Sequence, residues 1–268
     1  MLITLNVGNT NTMLGVFQGT ELVAHWRLTT ARDHTADEYG SLCRNFFHLA
    51  GLDPAKMTGV IISSVVPPLN RALGEMAERY FGLEALFVEP GLPTGITILY
   101  DSPRDVGADR IVNAVAAFEK YGGPCIAVDF GTAVTFDAIS ARGEYLGGTI
   151  FPGLGIAAEA LFAKAARLQR VEIKDPGIII GTSTTTSIQA GLYYGYLSML
   201  DGMLERMKKE LGPRTRVVAT GGQAVLVAPG SRHVETIDEF LTLEGMRLIW
   251  ERNRTSPADL PRPHEAER

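Results

Sequence analysis

The apolar run Leu2 to Val7 predicts a buried strand, and Thr12 to Phe17 a second. A Gln18-Gly19 turn leads into Glu21 to Leu28, whose apolar and polar positions alternate as in a third strand. The pattern returns in the second half of the chain. Cys125 to Asp129 is apolar up to its final acid, Val134 to Ile139 follows, and an Arg142-Gly143 turn opens Glu144 to Ile150. Asn6-Val7-Gly8 and Asp129-Phe130-Gly131 each close the first strand of a three-strand meander, so the pattern predicts an internal duplication.

Helical periods fill the intervals. Thr35-Ala36-Asp37-Glu38 is a capping box that opens a helix to about Ala50. Leu69 to Phe81, Ala108 to Tyr121, Ile156 to Leu168 and Thr186 to Leu211 carry further helical patterns. Gly59 to Val66, Ala85 to Val88 and Arg216 to Thr220 are expected as short strands. Alternating strands and helices predict an α/β fold of two related domains, 1–115 and 116–251. From Arg252 to residue 268 three prolines and many charges interrupt any apolar period, and a disordered tail is expected.

The bulk properties narrow the function. A chain of 268 residues with 46% hydrophobic positions can build two cores. A formal charge of -5 leaves no basic footprint for nucleic acid and no polybasic segment for a membrane surface. No apolar run reaches the roughly 18 to 20 residues of a membrane span, and no secretory leader is expected from Met1 onward. Cys43 and Cys125 lie far apart and offer no disulfide framework. A cytoplasmic enzyme is the expectation.

Gly8-Asn9-Thr10-Asn11-Thr12 packs amides and hydroxyls into a tight turn after a strand, where glycine lets backbone N–H groups approach an anion. A polar hairpin tip is the plain alternative. Asp129-Phe130-Gly131-Thr132 is the equivalent tip of the second meander, and two such tips facing each other can hold a polyphosphate. Gly221-Gly222 follows the strand Val217 to Thr220, and either serves as an ordinary turn or lets an adenosine ring lie against backbone. Neither a P-loop nor a Gly-x-Gly-x-x-Gly fingerprint is present, and the five histidines show no metal-ligand spacing.

Three ordered segments then carry a resemblance: Tyr100-Asp101-Ser102-Pro103-Arg104-Asp105-Val106-Gly107-Ala108-Asp109-Arg110, Gly147 to Gly153, and Gly181 to Gln189. With the two tips, they make residues 1 to 251 resemble type III pantothenate kinase, of the acetate-kinase, sugar-kinase and actin superfamily. The resemblance implies two duplicated actin-like (ribonuclease H-like) domains with a nucleotide cleft between them. It implies transfer of the ATP γ-phosphate to pantothenate, the first step toward coenzyme A, with magnesium and a monovalent cation, potassium or ammonium. By the same resemblance Asp109 is the proton acceptor, and Tyr100, Gly107, Ala108, Asp109, Arg110 and Thr184 hold pantothenate. Asn6, Val7, Gly8, Asn9, Thr10, Asn11, Thr12, Met13 and Thr132 contact ATP, and Asp129 sits at the monovalent cation. The family works as a homodimer that completes each substrate site across the interface.

Each residue also has a plainer reading. Asp109 suits the first turn of any helix, Arg110 can pair with Asp105 instead of a substrate, and Tyr100 can be a core aromatic. Asp129 can cap its own turn, and Thr184 can cap the following helix. One departure stands out: the family's first tip begins with Asp, whereas this chain has Asn6. Asn keeps a carbonyl oxygen but loses the charge that magnesium favours. A catalytically weak member acting as a binding or regulatory protein is therefore the rival reading. An actin-like or chaperone-like ATPase is disfavoured by the length and by the Gly-x-Asp-Arg segment.

Overall fold

A computed structural model describes residues 1–165 and 168–254. The first meander forms as the pattern predicts, with β1 (Leu2–Val7), β2 (Asn11–Gln18) and β3 (Glu21–Thr29) antiparallel in sequence. Helix α1 (Ala36–Leu49) begins at Thr35, whose side chain accepts from the Glu38 N–H while Glu38 accepts from the Thr35 N–H, completing the capping box. Strand β4 (Gly59–Ser64) adds parallel to β1. Helix α2 (Pro67–Phe81) starts two residues before the expected Leu69, because proline fits the first helical turn, where its missing N–H has no partner to lose. Strand β5 (Ala85–Phe87) completes a five-stranded sheet of order β3-β2-β1-β4-β5.

After the short β6 (Thr97–Ile98) and α3 (Ala108–Tyr121), the second meander follows as β7 (Cys125–Phe130), β8 (Ala133–Ile139) and β9 (Glu144–Pro152). Then come α4 (Leu154–Lys164), α5 (Thr184–Leu211), β10 (Arg216–Thr220), the single turn α6 (Ala224–Val227), β11 (Thr236–Ile237) and α7 (Leu241–Arg254). The second sheet runs β11-β10-β7-β8-β9-β6. Without β6 this is the first sheet's order reversed in writing, with β7 in place of β1 and β10 in place of β4. The duplication extends to single residues: Asn6 and Asp129 are both fifth in their strands, at half-buried positions in otherwise buried runs.

Strand alternation assigns the faces. Ile3, Leu5 and Val7 pack with Tyr39, Phe47, Leu69 and Leu73 of α1 and α2. Leu2, Phe17 and Ile61, on the other face, pack with Val112 and Val115 of α3 and Leu243, Met246 and Ile249 of α7. On the second sheet Ile126, Val128 and Phe130 face Leu200 and Leu204 of α5, while Cys125 and Ala127 face Ile111 and Ala114 of α3. Helices α3 and α7 are thus a layer shared by both sheets. Their close crossing requires Gly245, where a Cβ would lie 2.1 Å from the Val112 carbonyl oxygen. The two thiols are buried and free, Cys43 on α1 and Cys125 on β7.

The residues 252–254 belong to α7, and the Asn253 side chain donates 2.9 Å to the Pro93 carbonyl. The rest of the expected tail, 255–268, and residues 166–167 of the expected Ile156 to Leu168 helix lie outside the described residues. Among the described residues no helix is long and apolar enough to cross a membrane.

Candidate active site

The carboxyl ends of β1, β7 and β10 converge on a cavity of about 1410 Å³. Both meander tips line it, with Asp109, Asp129 and the Gly221-Gly222 turn. The first tip is closed by Gly8 N–H donating to the Asn11 carbonyl at 3.0 Å, the second by Gly131 N–H donating to the Ala133 carbonyl at 3.0 Å. The tips touch: the Thr10 and Thr132 hydroxyls lie 2.9 Å apart. Behind the first tip the Thr30 hydroxyl donates 2.7 Å to the Gly8 carbonyl, and Arg32 donates 3.0 Å to the Asn9 side-chain oxygen. Backbone N–H groups, hydroxyls and amides at the two tips suit an anion.

Asp109 lies in the first turn of α3, which Gly107 caps without a side chain. Its carboxylate accepts the Arg110 backbone N–H at 2.8 Å, and burial in the cleft raises its pKa above the usual carboxylate range despite that bond. Asp129 is pushed up to about 7, first by burial and then by the charge of Asp109. One turn along α3 from Asp109, Asn113 donates 3.0 Å to Asp129, and the Thr242 hydroxyl of α7 donates 2.7 Å to the Asn113 oxygen. The shared helical layer therefore fixes both carboxylates relative to the two tips.

Beside them lies a buried polar cluster. Asp137 on β8, fully buried, accepts Arg110 Nε at 2.7 Å and the Tyr145 hydroxyl at 2.9 Å, with the Thr135 hydroxyl at 3.3 Å. Burial pushes Asp137 up to about 6, although the Arg110 guanidinium pulls the other way. Arg110 Nη2 is buried with no hydrogen-bond partner. The Tyr100 ring sits 6.3 Å from the Tyr145 ring. The alternative local partner of Arg110, Asp105, is not used; a strand residue far along the chain, Asp137, holds it.

The oxygen donors fit cations of two kinds. Next to Asp129 in the β7–β10 register stands Thr220, whose hydroxyl is buried and unpartnered. One carboxylate beside an orphaned neutral oxygen suits a monovalent ion. Asn6, Asp109 and Asp129 together suit a divalent ion that takes most of its ligands from phosphates and water. Among the described residues there is no cluster of three or more His, Cys, Asp or Glu that could hold a metal by itself.

Of the residues singled out from sequence, Asn6, Gly8, Asn9, Thr10, Asn11, Met13, Asp109, Asp129 and Thr132 line this one cavity. Val7 and Thr12 do not; they alternate onto the α1–α2 face, where Val7 is core and the Thr12 hydroxyl bonds Thr30 at 2.9 Å. Ala108 is also packed into the core. Thr184 is exposed at the start of α5, where Ser183 is the cap, and lines a separate groove of about 750 Å³ with Ser187 and Ile188. Sequence reasoning missed Arg27, Asn113, Asp137, Thr242 and Gln223. Cross-strand register was the available signal for Arg27, and the Asn at helical spacing from Asp109 for Asn113.

The family model for type III pantothenate kinase matches residues 2–206. A type III pantothenate kinase from Koribacter versatilis is 56% identical over 266 residues, covering 96% of this chain and 97% of that one. One from Myxococcus xanthus is 56% identical over 256 residues, covering 96% and 100%. Among solved structures, a ROK family glucokinase from Streptomyces griseus in complex with glucose and AMPPNP superposes with a TM-score of 0.54 at 12% identity, over 95% of this chain and 99% of that one. At that identity the likeness speaks for the actin-like, sugar-kinase fold alone.

Proposed function

Because this chain belongs to the type III pantothenate kinase family, we propose that its cleft carries that family's reaction with the residues described above. The protein is a kinase that uses ATP and a divalent metal to phosphorylate pantothenate, giving 4'-phosphopantothenate at the start of coenzyme A biosynthesis. The observation that carries the residue assignment is the meeting, in one cavity, of two glycine tips and the paired acids Asp109 and Asp129.

Phosphoryl transfer passes through a loose transition state, so positioning and charge stabilisation dominate over base strength. The tip amides and the Thr10 and Thr132 hydroxyls hold the nucleotide phosphates. Asp109 orients the attacking primary hydroxyl and takes its proton; burial gives it a better proton affinity than an ordinary carboxylate. Arg110, tethered through Nε to Asp137, presents its remaining guanidinium edge to pantothenate, with Tyr100 flanking. Asp129 and Thr220 hold a monovalent cation, which offsets phosphate charge when bound. The cation is potassium or ammonium.

Thr184 belongs to the same reaction through a second copy of the chain. Ile178, Ile179 and Ile180 precede α5 as exposed apolar residues, and Ile150 and Phe151 are exposed near the cleft. Apolar surface of this kind supports a homodimer in which α5 of one protomer reaches the other's substrate site. A cytoplasmic location fits the reaction. The deciding experiment is a coupled assay with ATP, magnesium, potassium and pantothenate omitted in turn. ATP turnover that does not depend on pantothenate would overturn the reading.

A further inference from the structure

Strand register lines up Asn6 of β1, Met13 of β2 and Arg27 of β3 as direct cross-strand partners, and all three line the cavity. Partners in register project to the same face of a sheet, so the row points away from α1 and α2 and toward the second lobe. With Asn at position 6, the only charge in the row is the Arg27 guanidinium. It forms no ion pair with any described residue, although Asp109, Asp129 and Glu239 line the same cavity. It lies instead over the Gly221-Gly222 turn: a Cβ on Gly222 would fall 2.5 Å from Arg27 Nη1 and 3.3 Å from Cζ. The glycine at 222 thereby leaves room for an arginine that crosses from the first sheet to the second lobe. A guanidinium held over a glycine turn, in the cavity that both anion-suited tips line, feels the Asp129 carboxylate only at a distance and has no oxyanion within ion-pair reach among the described residues.

We infer that Arg27 is a phosphate-binding residue for the nucleotide, donating from the first lobe to non-bridging phosphate oxygens while it rests against Gly222 of the second. The inference takes its ligand from the kinase reading above. It adds a positive charge to a site whose other phosphate-contacting protein groups, the tip amides and the Thr10 and Thr132 hydroxyls, are neutral, and it ties the approach of the two lobes to the phosphates of the ligand.

The experiment is calorimetric binding of adenosine, ADP and a non-hydrolysable ATP analogue, with magnesium, to the wild type, Arg27→Gln and Arg27→Lys. Charge-assisted hydrogen bonds of this kind are worth about 10- to 100-fold in affinity. Arg27→Gln should weaken ADP and the ATP analogue by that factor and leave adenosine unchanged, with Arg27→Lys intermediate. Arg27 is exposed on its strand, and equal melting temperatures will show that the variants fold. An equal loss for adenosine, or no loss for any ligand, overturns the proposal. Phosphate transfer to pantothenate by the wild type is measured separately. A wild type that binds nucleotide through Arg27 but leaves pantothenate untouched would sink the kinase reading and spare this one.

Discussion

The hydroxyls of Thr10 and Thr132 meet at 2.9 Å, joining the tips of two meanders that lie in different sheets. If they bind phosphate, Thr132→Val should raise the KM for ATP by about tenfold, the order expected for one lost hydrogen bond to a charged group. Thr10→Val should act alike, and the double variant should fall short of the product of the two, because the residues share a partner. A lower melting temperature with unchanged KM would make the pair a staple between lobes and nothing more.

Asp109→Asn should keep nucleotide binding and lower kcat by roughly 100- to 10,000-fold, the usual worth of a positioned base. The pH dependence has a definite sign. A base must be unprotonated to accept a proton, so raising its pKa moves the loss of activity to higher pH. Burial raises Asp109, and Asp129 beside it is pushed up to about 7. The acid limb of kcat/KM for pantothenate should therefore lie above the ordinary carboxylate range of about 4, displaced toward the value of about 7 at Asp129, with apparent values that belong to the pair. A profile flat down to pH 4.5 would remove both acids from the chemistry.

How much of this was legible beforehand depends on the range of the interactions that decide it. Leu2–Val7, Ala108–Tyr121 and Arg216–Thr220 form to the residue as their patterns predict, since their signals are local: apolar runs, an acid in the first turn, glycine at the stop. The Thr35 capping box is local too. Helix α7 is not among the predicted elements although Leu243, Met246 and Ile249 recur at helical spacing; Gly245 and four charges among its last eight residues mask the stripe. Asp137 was invisible for a better reason. A lone Asp inside a strand becomes meaningful only when the sheet brings it under Arg110, whereas the local sequence offers only Asp105 as an ion-pair alternative. Thr184 was named by family resemblance alone, and within one chain it lies in another groove.

Asp137 offers a direct check on that cluster. Removing one partner of a buried ion pair strands the other, at a cost of about 3 to 5 kcal/mol. Asp137→Ala should lower the melting temperature markedly. The milder Asp137→Asn should fold and raise the KM for pantothenate more than that for ATP, because Arg110 loses its tether while the tips are untouched. Equal changes in both constants would show a general loosening of the second lobe.

The proposed dimer can be tested at the exposed apolar residues that precede α5. Ile179 and Ile180 are 66% and 80% exposed just ahead of the α5 cap. Ile180→Lys should shift light scattering from dimer to monomer and lower pantothenate turnover, and raising the protein concentration should restore both together. A fully active monomer would return Thr184 to the surface.

Asn6 yields the most particular forecast. It stands at the end of β1 where Asp129 stands at the end of β7, so the duplicated sheets offer one charged and one neutral oxygen at equivalent points. Magnesium prefers charged oxygen ligands and gives up its waters reluctantly. Asn6 can bond a metal-bound water but attracts the ion weakly, whereas the tip bonds from Gly8 and Thr10 do not depend on it. Nucleotide should therefore bind normally while the metal binds poorly and the γ-phosphate is less well aimed. A misplacement of about 1 Å can cost on the order of 100-fold in rate. Asn6→Asp should lower the magnesium concentration for half activity and raise kcat, leaving the KM for pantothenate in place. Arg27, in the same cross-strand row, sets a limit on the gain: a new carboxylate there gives the guanidinium a competing partner, so affinity for nucleotide without metal should drop. Magnesium titrations of both proteins, with nucleotide binding measured in chelator, separate the two effects. Superimposable magnesium curves would mean that Asn6 never approaches the metal, or that a neighbouring carboxylate such as Asp129 holds it.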